Sequence, residues 1–373
     1  DDFDLFLFRA EGVLYIEDQP CPGAVETIQK LKANGKLIKI LVNDSRFSQE
    51  EILRKLKTMD IHLNKEEIVT PSWCVIRYLQ KKGISKILVI GSKALKKEII
   101  DAGYKVDYQV PEAVVVGFDE NIVLKEIQQA INYIEQEAIF IATDNEFLSP
   151  TSSGKQLNTG SVVKLIENGT GKKSIIIGSP SPFIFQIVQE GYQKKLRTIM
   201  IGNSPENDVL GGHQVGIPVI LVLPQPIYFP TPRDYRVPDA QINHLFQLFD
   251  ESFRLFPWKK PDFPWPNTIQ VAVAAILFDR DGRVLLIKRR DNLFWALPTG
   301  RMERAETLEE AIIREVKEEL NLKVRVERLV GVYSHPSHQV LQYSSNGIIQ
   351  FVTSCFLCNL VSGNLIPHQS EIT

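Results

Sequence analysis

The sequence predicts an α/β chain in two parts: a long N-terminal region built on largely parallel sheets, then a shorter α+β domain. Three observations carry this reading. Over the first 250 residues, short apolar runs alternate with helix-like segments. Near residues 251–268 the composition changes, and FPWKKPDFPWPN holds four prolines and two tryptophans. Beyond it, residues 300–322 place glycine, arginine and glutamates at helical spacing.

Taken in order, the apolar runs are LFLF (5–8), LIKILV (37–42), KILVI (86–90), AVVVG (113–117), AIFIA (138–142), SIIIG (174–178), TIMIG (198–202) and PVILV (218–222). Each precedes a helix-like stretch, the pattern of parallel strands joined by crossover helices. The proline-rich stretch cannot continue a helix or sit in a central strand, so residues 251–265 read as a stiff linker. Trp258 and Trp265 are expected to pack on a domain surface. From about Pro266 onward, VAVAAILF (271–278), the turn DRDGR, VLLIKRR, FWALPTG, a run near Val330 and IIQFVTSCFLCNL (348–360) read as strands.

Composition narrows the function classes. With 373 residues, 44% hydrophobic and 24% charged, the chain is ordinary globular material, long enough for two or three domains. A net charge of -2 gives no electrostatic footprint for nucleic acid or an anionic membrane. No apolar run approaches a membrane span, and no signal peptide is visible, although a chain starting at Asp1 is compatible with removal of a short leader. Four cysteines argue for a reducing compartment, hence a cytoplasmic location. Cys355 and Cys358 form a CxxC, but in a strand i and i+3 face opposite sides, which disfavours zinc.

The segment GRMERAETLEEAIIREVKEELNL (300–322) carries the chemistry. From about Glu306 it has good helix formers, with apolar Leu308, Ala311, Ile312, Val316 and Leu320 at helical spacing. Glu315, Glu318 and Glu319 project from one face within a turn, where their charges repel and a hard divalent cation relieves the repulsion. Magnesium is the expected ion, with manganese as a substitute. Arg314 can pair with Glu306 near the helix start, and Gly300 supplies the flexible turn before it.

The segment fits G-x5-E-x7-R-E-U-x-E-E-x-G-U, with Asn321 replacing only the late glycine, and resembles the Nudix box. The resemblance implies hydrolysis of a nucleoside diphosphate linked to another moiety, with water attacking phosphorus. Glu315, Glu318 and Glu319 would be metal ligands, Arg314 would position them, and Glu318 or Glu371 would be the general base. Arg290 or Lys288 would reach substrate phosphates, while Trp295 would pack in the loop or stack on a base. A Nudix domain over 266–373 would lack a last strand and helix beyond Thr373.

The N-terminal region resembles the haloacid dehalogenase superfamily, in the NagD-type branch with a large α/β cap that includes 4-nitrophenylphosphatases and phosphoglycolate phosphatases. A Rossmann-like core would span 1–70 and 172–250, with the cap inserted at 71–171, ahead of a Nudix α/β/α sandwich. The opening DxDGVxY appears as Arg9, Ala10, Glu11, Gly12, Val13, Leu14 and Tyr15, and TNNS as Val42 to Ser45. GKPSP becomes Gly178 to Pro182, and GDxxxxD becomes Gly202 to Asp208 with Asn203 second. The cap supplies VVVGFDENI (114–122), FIATDNE (140–146) and NTGSVV (158–163).

The resemblance also implies that this site has lost its reagents. Arg9 stands at the nucleophilic aspartate, where a guanidinium has no carboxylate to phosphorylate. Glu11 replaces the acid/base aspartate, Val42 lacks a hydroxyl, Ser179 lacks the lysine charge, and Asn203 removes an acidic magnesium ligand. Asp208 remains. Arg9 is expected to pair with Asp208 or Glu11. Such a domain would be a scaffold, dimerising through its cap, or a sensor whose cleft, lined by Gly202–Asp208 and Thr143–Glu146, binds a phosphorylated metabolite.

His335 and His338 in YSHPSH resemble a metal pair only superficially, and His62, His213, His244 and His368 have no evident partner. Pro336 lies where ADP-ribose pyrophosphatases of the Nudix family carry a proline. The sequence therefore points to a Nudix hydrolase acting on ADP-ribose or a nucleotide sugar, attached to an inactive phosphatase-like domain. The alternatives are a nucleotide-binding regulator without turnover and a bifunctional phosphatase/Nudix enzyme.

Overall fold

The computed structural model describes residues 2–106, 109–151, 154–290, 293–343 and 347–366. Two compact units divide the chain, Asp1–Lys260 and Pro261–Thr373. The first begins with β1 (Leu5–Arg9), a ribbon of β2 (Tyr15–Ile16) and β3 (Gln19–Pro20), α1 (Ala24–Ala33), β4 (Leu37–Leu41), α2 (Gln49–Thr58), β5 (Ile68–Val69) and α3 (Pro71–Lys82). There follow β6 (Ile87–Ile90), α4 (Lys93–Asp101), β7 (Ala113–Val116), α5 (Leu124–Glu135), β8 (Ile139–Ala142), the hairpin β9 (Leu148–Thr151) and β10 (Gly154–Leu157), α6 (Thr159–Thr170) and β11 (Ile175–Ile176). The unit closes with α7 (Pro182–Ile187), β12 (Thr198–Gly202), a π-helical turn (Pro205–Val209), α8 (Leu210–Gln214), β13 (Val219–Val222) and β14 (Ala240–Ile242).

Six of these strands form one parallel sheet in the order β14-β13-β12-β1-β4-β5. A second parallel sheet, β11-β8-β7-β6, lies between β5 and β12 in the chain and is the inserted cap. Parallel strands covered on both faces are apolar throughout, which is why their sequences read as unbroken runs. Alternation sends Leu5 and Leu7 into one buried cluster and Phe8 into the other. Local signals fix the helix ends. Ser48 and Glu51 form a capping box on α2, while α3 has Thr70 as its cap, Pro71 in its first turn and Gly83 at φ 66 behind it.

The second unit contains β15 (Thr268–Leu277), β16 (Ile287–Lys288), β17 (Trp295–Ala296), β18 (Thr299–Arg301), α9 (Leu308–Leu320), β19 (Lys323–Tyr333), α10 (Pro336–Gln339), β20 (Val340–Tyr343) and β21 (Gly347–Ser362). Its main sheet runs β18-β15-β21-β19, with β20 also on β21. Strands β15 and β21 are parallel, and the other pairs are antiparallel. Helix α9 buries Ala311, Ile312, Val316 and Leu320 against Val273, Ala275, Leu277, Phe356 and Cys358. It starts at Leu308 rather than Glu306, because Thr307 and Glu310 form a capping box that sets the first turn. Asn321 ends it in the left-handed region at φ 57, a conformation asparagine tolerates, so it can serve where the motif has glycine.

The fold class is the one the sequence predicts, an α/β unit with an inserted α/β cap followed by a sheet-rich α+β unit. The stretch read as linker, 251–265, is divided: through Lys260 it belongs to the first unit, where Phe253 and Leu255 pack on the hydrophobic core. All four cysteines are free thiols. Among the described residues no helix is long and apolar enough to cross a membrane.

Candidate active sites

In the first unit, the C-terminal edge of the parallel sheet gathers the residues of the altered motifs, the usual location of sites in such folds. Arg9 ends β1 with 6% exposure, and Asp208, fully buried, lies in the π-helical turn after the neighbouring β12. The Arg9 guanidinium donates through Nε to Asp208 Oδ1 at 2.9 Å and through Nη2 both to the same oxygen and to Ser179 Oγ, the latter at 2.8 Å. Asp208 Oδ2 accepts the backbone N–H groups of Asn203 at 2.9 Å and Ser204 at 3.1 Å. A Cβ on Gly202 would meet the Asp208 side chain at 2.3 Å, so the bare glycine lets the carboxylate lie against β12.

Of the two carboxylates offered to Arg9 by the sequence, the structure selects Asp208. Glu11 faces another group, and its carboxyl is pushed up, first by burial and then by the nearby Asp44 carboxylate. Asp44 is itself paired with Arg46 at 2.7 Å. Val42 is 3% exposed and belongs to the hydrophobic core. Asn203 packs over Gly12, whose φ of 80 and missing Cβ make room for it. The expected cap lining is corrected in part. Thr143 and Asp144 are 0% and 1% exposed inside the cap, and the Asp144 carboxyl is pushed up to about 7 by that burial. Glu146 does reach the core, accepting from Asn207 Nδ2 at 3.0 Å.

In the second unit, Arg314 organises the acidic residues. It donates from Nε and Nη2 to Glu306 at 3.0 and 2.7 Å, and from Nη1 to Glu315 at 2.8 Å and Glu318 at 3.1 Å. Its Nη2 also holds the Arg301 carbonyl at 2.9 Å, tying α9 to β18. The Arg314 guanidinium, followed by the Glu303 N–H, holds the Glu306 carboxyl down at about 2. A Cβ on Gly300 would fall 1.7 Å from Glu315 Cδ, so this glycine forms the floor on which the carboxylate rests.

Beside this network lies a cavity of about 890 Å³. Glu303, Glu315 and Glu319 line it together with Arg289, Arg290 and Arg301. Arg301 lies over the rings of Tyr343 and Phe351, at 5.5 and 5.8 Å from their centroids. Of the substrate residues read from sequence, Gly300 and Arg290 line the cavity and Lys288 and Trp295 do not. The reason is strand alternation: Lys288 pairs with Trp295, whereas Ile287 and its partner Ala296 face the cavity. Phe294 takes the position next to the cavity that the sequence reading gave to Trp295. Arg289, Arg301, Tyr343 and Phe351 were not singled out from sequence. His338 also lines the cavity, 5.8 Å from the His335 ring. Glu371 and His368 lie outside the described residues.

The donors suit a hard cation, being carboxylate oxygens. Among the described residues, however, no three acidic, histidine or cysteine side chains converge as a ready ligand set. Glu315 and Glu319 face the cavity, whereas the Glu318 side chain is 60% exposed and turned to Arg314. Two members of the set read from sequence, Glu315 and Glu318, are instead held by one guanidinium nitrogen of Arg314.

Two outcomes follow from these geometries. Arg9→Ala leaves the Asp208 carboxylate buried without its cation and should cost about 3–5 kcal/mol in denaturant unfolding; unchanged stability would show that the pair does not support the fold. The Arg314–Glu306 contact should persist above about pH 2 and be lost as pH falls through that value, because the depressed carboxyl then takes up a proton. Carboxyl-carbon NMR of Glu306 reads this, and in Arg314→Ala the titration should move up toward the ordinary carboxylate range, with the Glu303 N–H still holding it below.

Comparison with known proteins places both units. A family model described as haloacid dehalogenase-like hydrolase matches residues 6–105, and a second, haloacid dehalogenase hydrolase-like, matches 176–224. The NUDIX domain model matches 268–373. Dihydroxyacetone phosphatase of Corynebacterium glutamicum is 31% identical over 222 residues, covering 58% of this chain and 80% of that protein. Human chronophin is 28% identical over 236 residues, with the same coverages of 58% and 80%. Among solved structures, 4-nitrophenylphosphatase of Thermotoga maritima superposes with a TM-score of 0.60 at 28% identity, covering 66% of this chain and 96% of its own. The chain thus belongs, through its first unit, to the haloacid dehalogenase-like hydrolases and carries a NUDIX domain in its second.

Proposed function

We propose that the chain is a magnesium-dependent pyrophosphohydrolase whose activity resides in the NUDIX domain, acting on a nucleoside diphosphate derivative. The observation that carries this reading is the Arg314-centred carboxylate network placed beside a cavity that Arg289, Arg290 and Arg301 also line. Guanidinium groups suit phosphate oxygens through paired N–H donors. Phe294, Tyr343 and Phe351 offer apolar surface of the kind a base or sugar needs. The size and mixed lining favour ADP-ribose or a nucleotide sugar, and Pro336 opens the short helix whose His338 and Gln339 border the cavity.

Glu315 and Glu319, joined by Glu318 once it leaves Arg314, would hold magnesium or manganese. The ion, when bound, supplies neutralisation of charge on the phosphoryl oxygens. Arg314 keeps Glu315 seated on Gly300, and the cavity arginines orient the pyrophosphate. Glu318 or Glu371 takes the proton of the attacking water.

The phosphatase-like unit is read as a non-catalytic scaffold or sensor. Its relatives carry phosphatase names, but in this chain Arg9 occupies the nucleophile position and is bonded to Asp208. Exposed Leu124, Phe147 and Leu157 on the cap suit a second copy of the chain, and the four free thiols suit a reducing, cytoplasmic setting. The divided carboxylate set favours, as a second reading, a nucleotide-binding regulator without turnover.

Mass-spectrometric product detection tests the proposal, using full-length protein, magnesium and a panel of nucleoside diphosphate derivatives. Wild type should release a nucleoside monophosphate, and Glu318→Gln should be slower by about 10²-fold or more if Glu318 is the base. Binding without product in both proteins would favour the regulator.

A further inference from the structure

The pleat of the edge strand β18 separates two lobes of the cavity in the second unit. Successive side chains of a strand point to opposite faces. Gly300 presents its bare face to Glu315, whose carboxylate rests where a Cβ would lie, and it is in register with Val273, which packs against α9. The next residue, Arg301, therefore projects to the other face, in register with Ala272 and beside the cluster of Ala272, Ile349 and Phe351 on which Tyr343 packs. The carboxylates mark one lobe, and Arg301 with its two aromatic neighbours marks the other.

Arg301 is held in place with its donors unspent. Its guanidinium sits in a corner made by Tyr343 and Phe351, whose rings stand at 80° with 6.3 Å between centroids. Its backbone is fixed by Arg314, whose Nη2 donates to the Arg301 carbonyl at 2.9 Å. Among the described residues the guanidinium itself makes no hydrogen bond and no ion pair, although the residue lines the cavity. Thr353 and Gln339, which also line it, are bonded to each other, Oγ1 donating to Oε1 at 2.7 Å. A planar fork of N–H groups immobilised against aromatic rings suits a flat partner that offers two adjacent acceptors.

Resting on the reading of this cavity as the site of a nucleoside diphosphate derivative, we propose that Arg301 reads the base, and that the base is guanine. Guanine carries O6 and N7 side by side, and both accept, so one guanidinium donates to the two together. Adenine sets its N6 amino group beside N7, and one arm of the fork then meets a donor instead of an acceptor. Phosphate oxygens would suit the same fork, but the pyrophosphate belongs with Glu315 and Glu319 in the other lobe, where the metal would be held. Tyr343 and Phe351 hold the fork and supply apolar wall for the ring. The substrate is then a guanosine diphosphate sugar rather than ADP-ribose.

Calorimetric titration of the full-length chain with GMP, IMP, AMP and 7-deaza-GMP tests this without requiring turnover. GMP and IMP share O6 and N7 and should bind alike, both about tenfold or more tighter than AMP. Loss of N7 in 7-deaza-GMP should forfeit most of that advantage. Arg301→Lys keeps the charge but not the fork, so GMP and AMP should bind it equally. An equal fall for all these nucleotides in Arg301→Lys, with the GMP preference retained, would assign Arg301 to phosphate and overturn the proposal. So would AMP binding as tightly as GMP in wild type, or no binding of either. The wild-type titrations decide the matter even if Arg301→Lys fails to fold. The hydrolase reading fails separately: monophosphate release from ADP-ribose with no preference for guanosine derivatives sinks the base assignment alone, whereas a GMP preference without turnover of any derivative sinks hydrolysis alone.

Discussion

A buried guanidinium must be met by a carboxylate, and the first unit is arranged around that requirement at Arg9. The Arg9–Asp208 pair joins the ends of two adjacent central strands, with side-chain exposures of 7% and 0%. Ser179 and the backbone of the Asn203–Ser204 turn complete it. Such a pair need not add net stability relative to a well-packed apolar core, yet removing either member leaves an uncompensated charge. It therefore specifies the position of the turn after β12 more than it strengthens the sheet. It also fixes the state of one acid, since Asp208 is already engaged by the Arg9 guanidinium.

The second unit uses an arginine to the opposite end. Arg314 is partly exposed and spreads its donors over Glu306, Glu315 and Glu318 rather than concentrating them on one carboxylate. The carboxylates stay near solvent and a cavity, where they remain available to exchange partners. In one unit an arginine is buried against a single carboxylate. In the other it arranges acids beside a cavity.

Much of this was legible in the sequence because it is local. Apolar runs marked the parallel strands, and the spacing from Gly300 to Leu322 marked the acidic helix and its arginine, although the capping box of Thr307 and Glu310 sets its start two residues later than read. Partner choice across long separations was not legible. Arg9 and Asp208 are 199 residues apart, and nothing local distinguishes Asp208 from Glu11 as the partner. Arg301 meets Phe351 because β18 and β21 flank β15 in one sheet, and meets Tyr343 because β20 pairs with β21. Strand pleat decided that Phe294 rather than Trp295 borders the cavity, and a one-residue register difference lies below what composition reveals. His213 had no evident partner in sequence because Tyr235 and Asp239 come from the connection between β13 and β14, and Trp258 from the chain after β14.

The central claim is that hydrolysis belongs to the second unit and that the first is closed by the Arg9–Asp208 pair. The most direct measurement is magnesium-dependent release of 4-nitrophenol from 4-nitrophenyl phosphate by the full-length chain, compared with its Glu315→Gln and Asp208→Asn variants. The account predicts no turnover above background that depends on Asp208. Release that persists in Glu315→Gln and disappears in Asp208→Asn would contradict it.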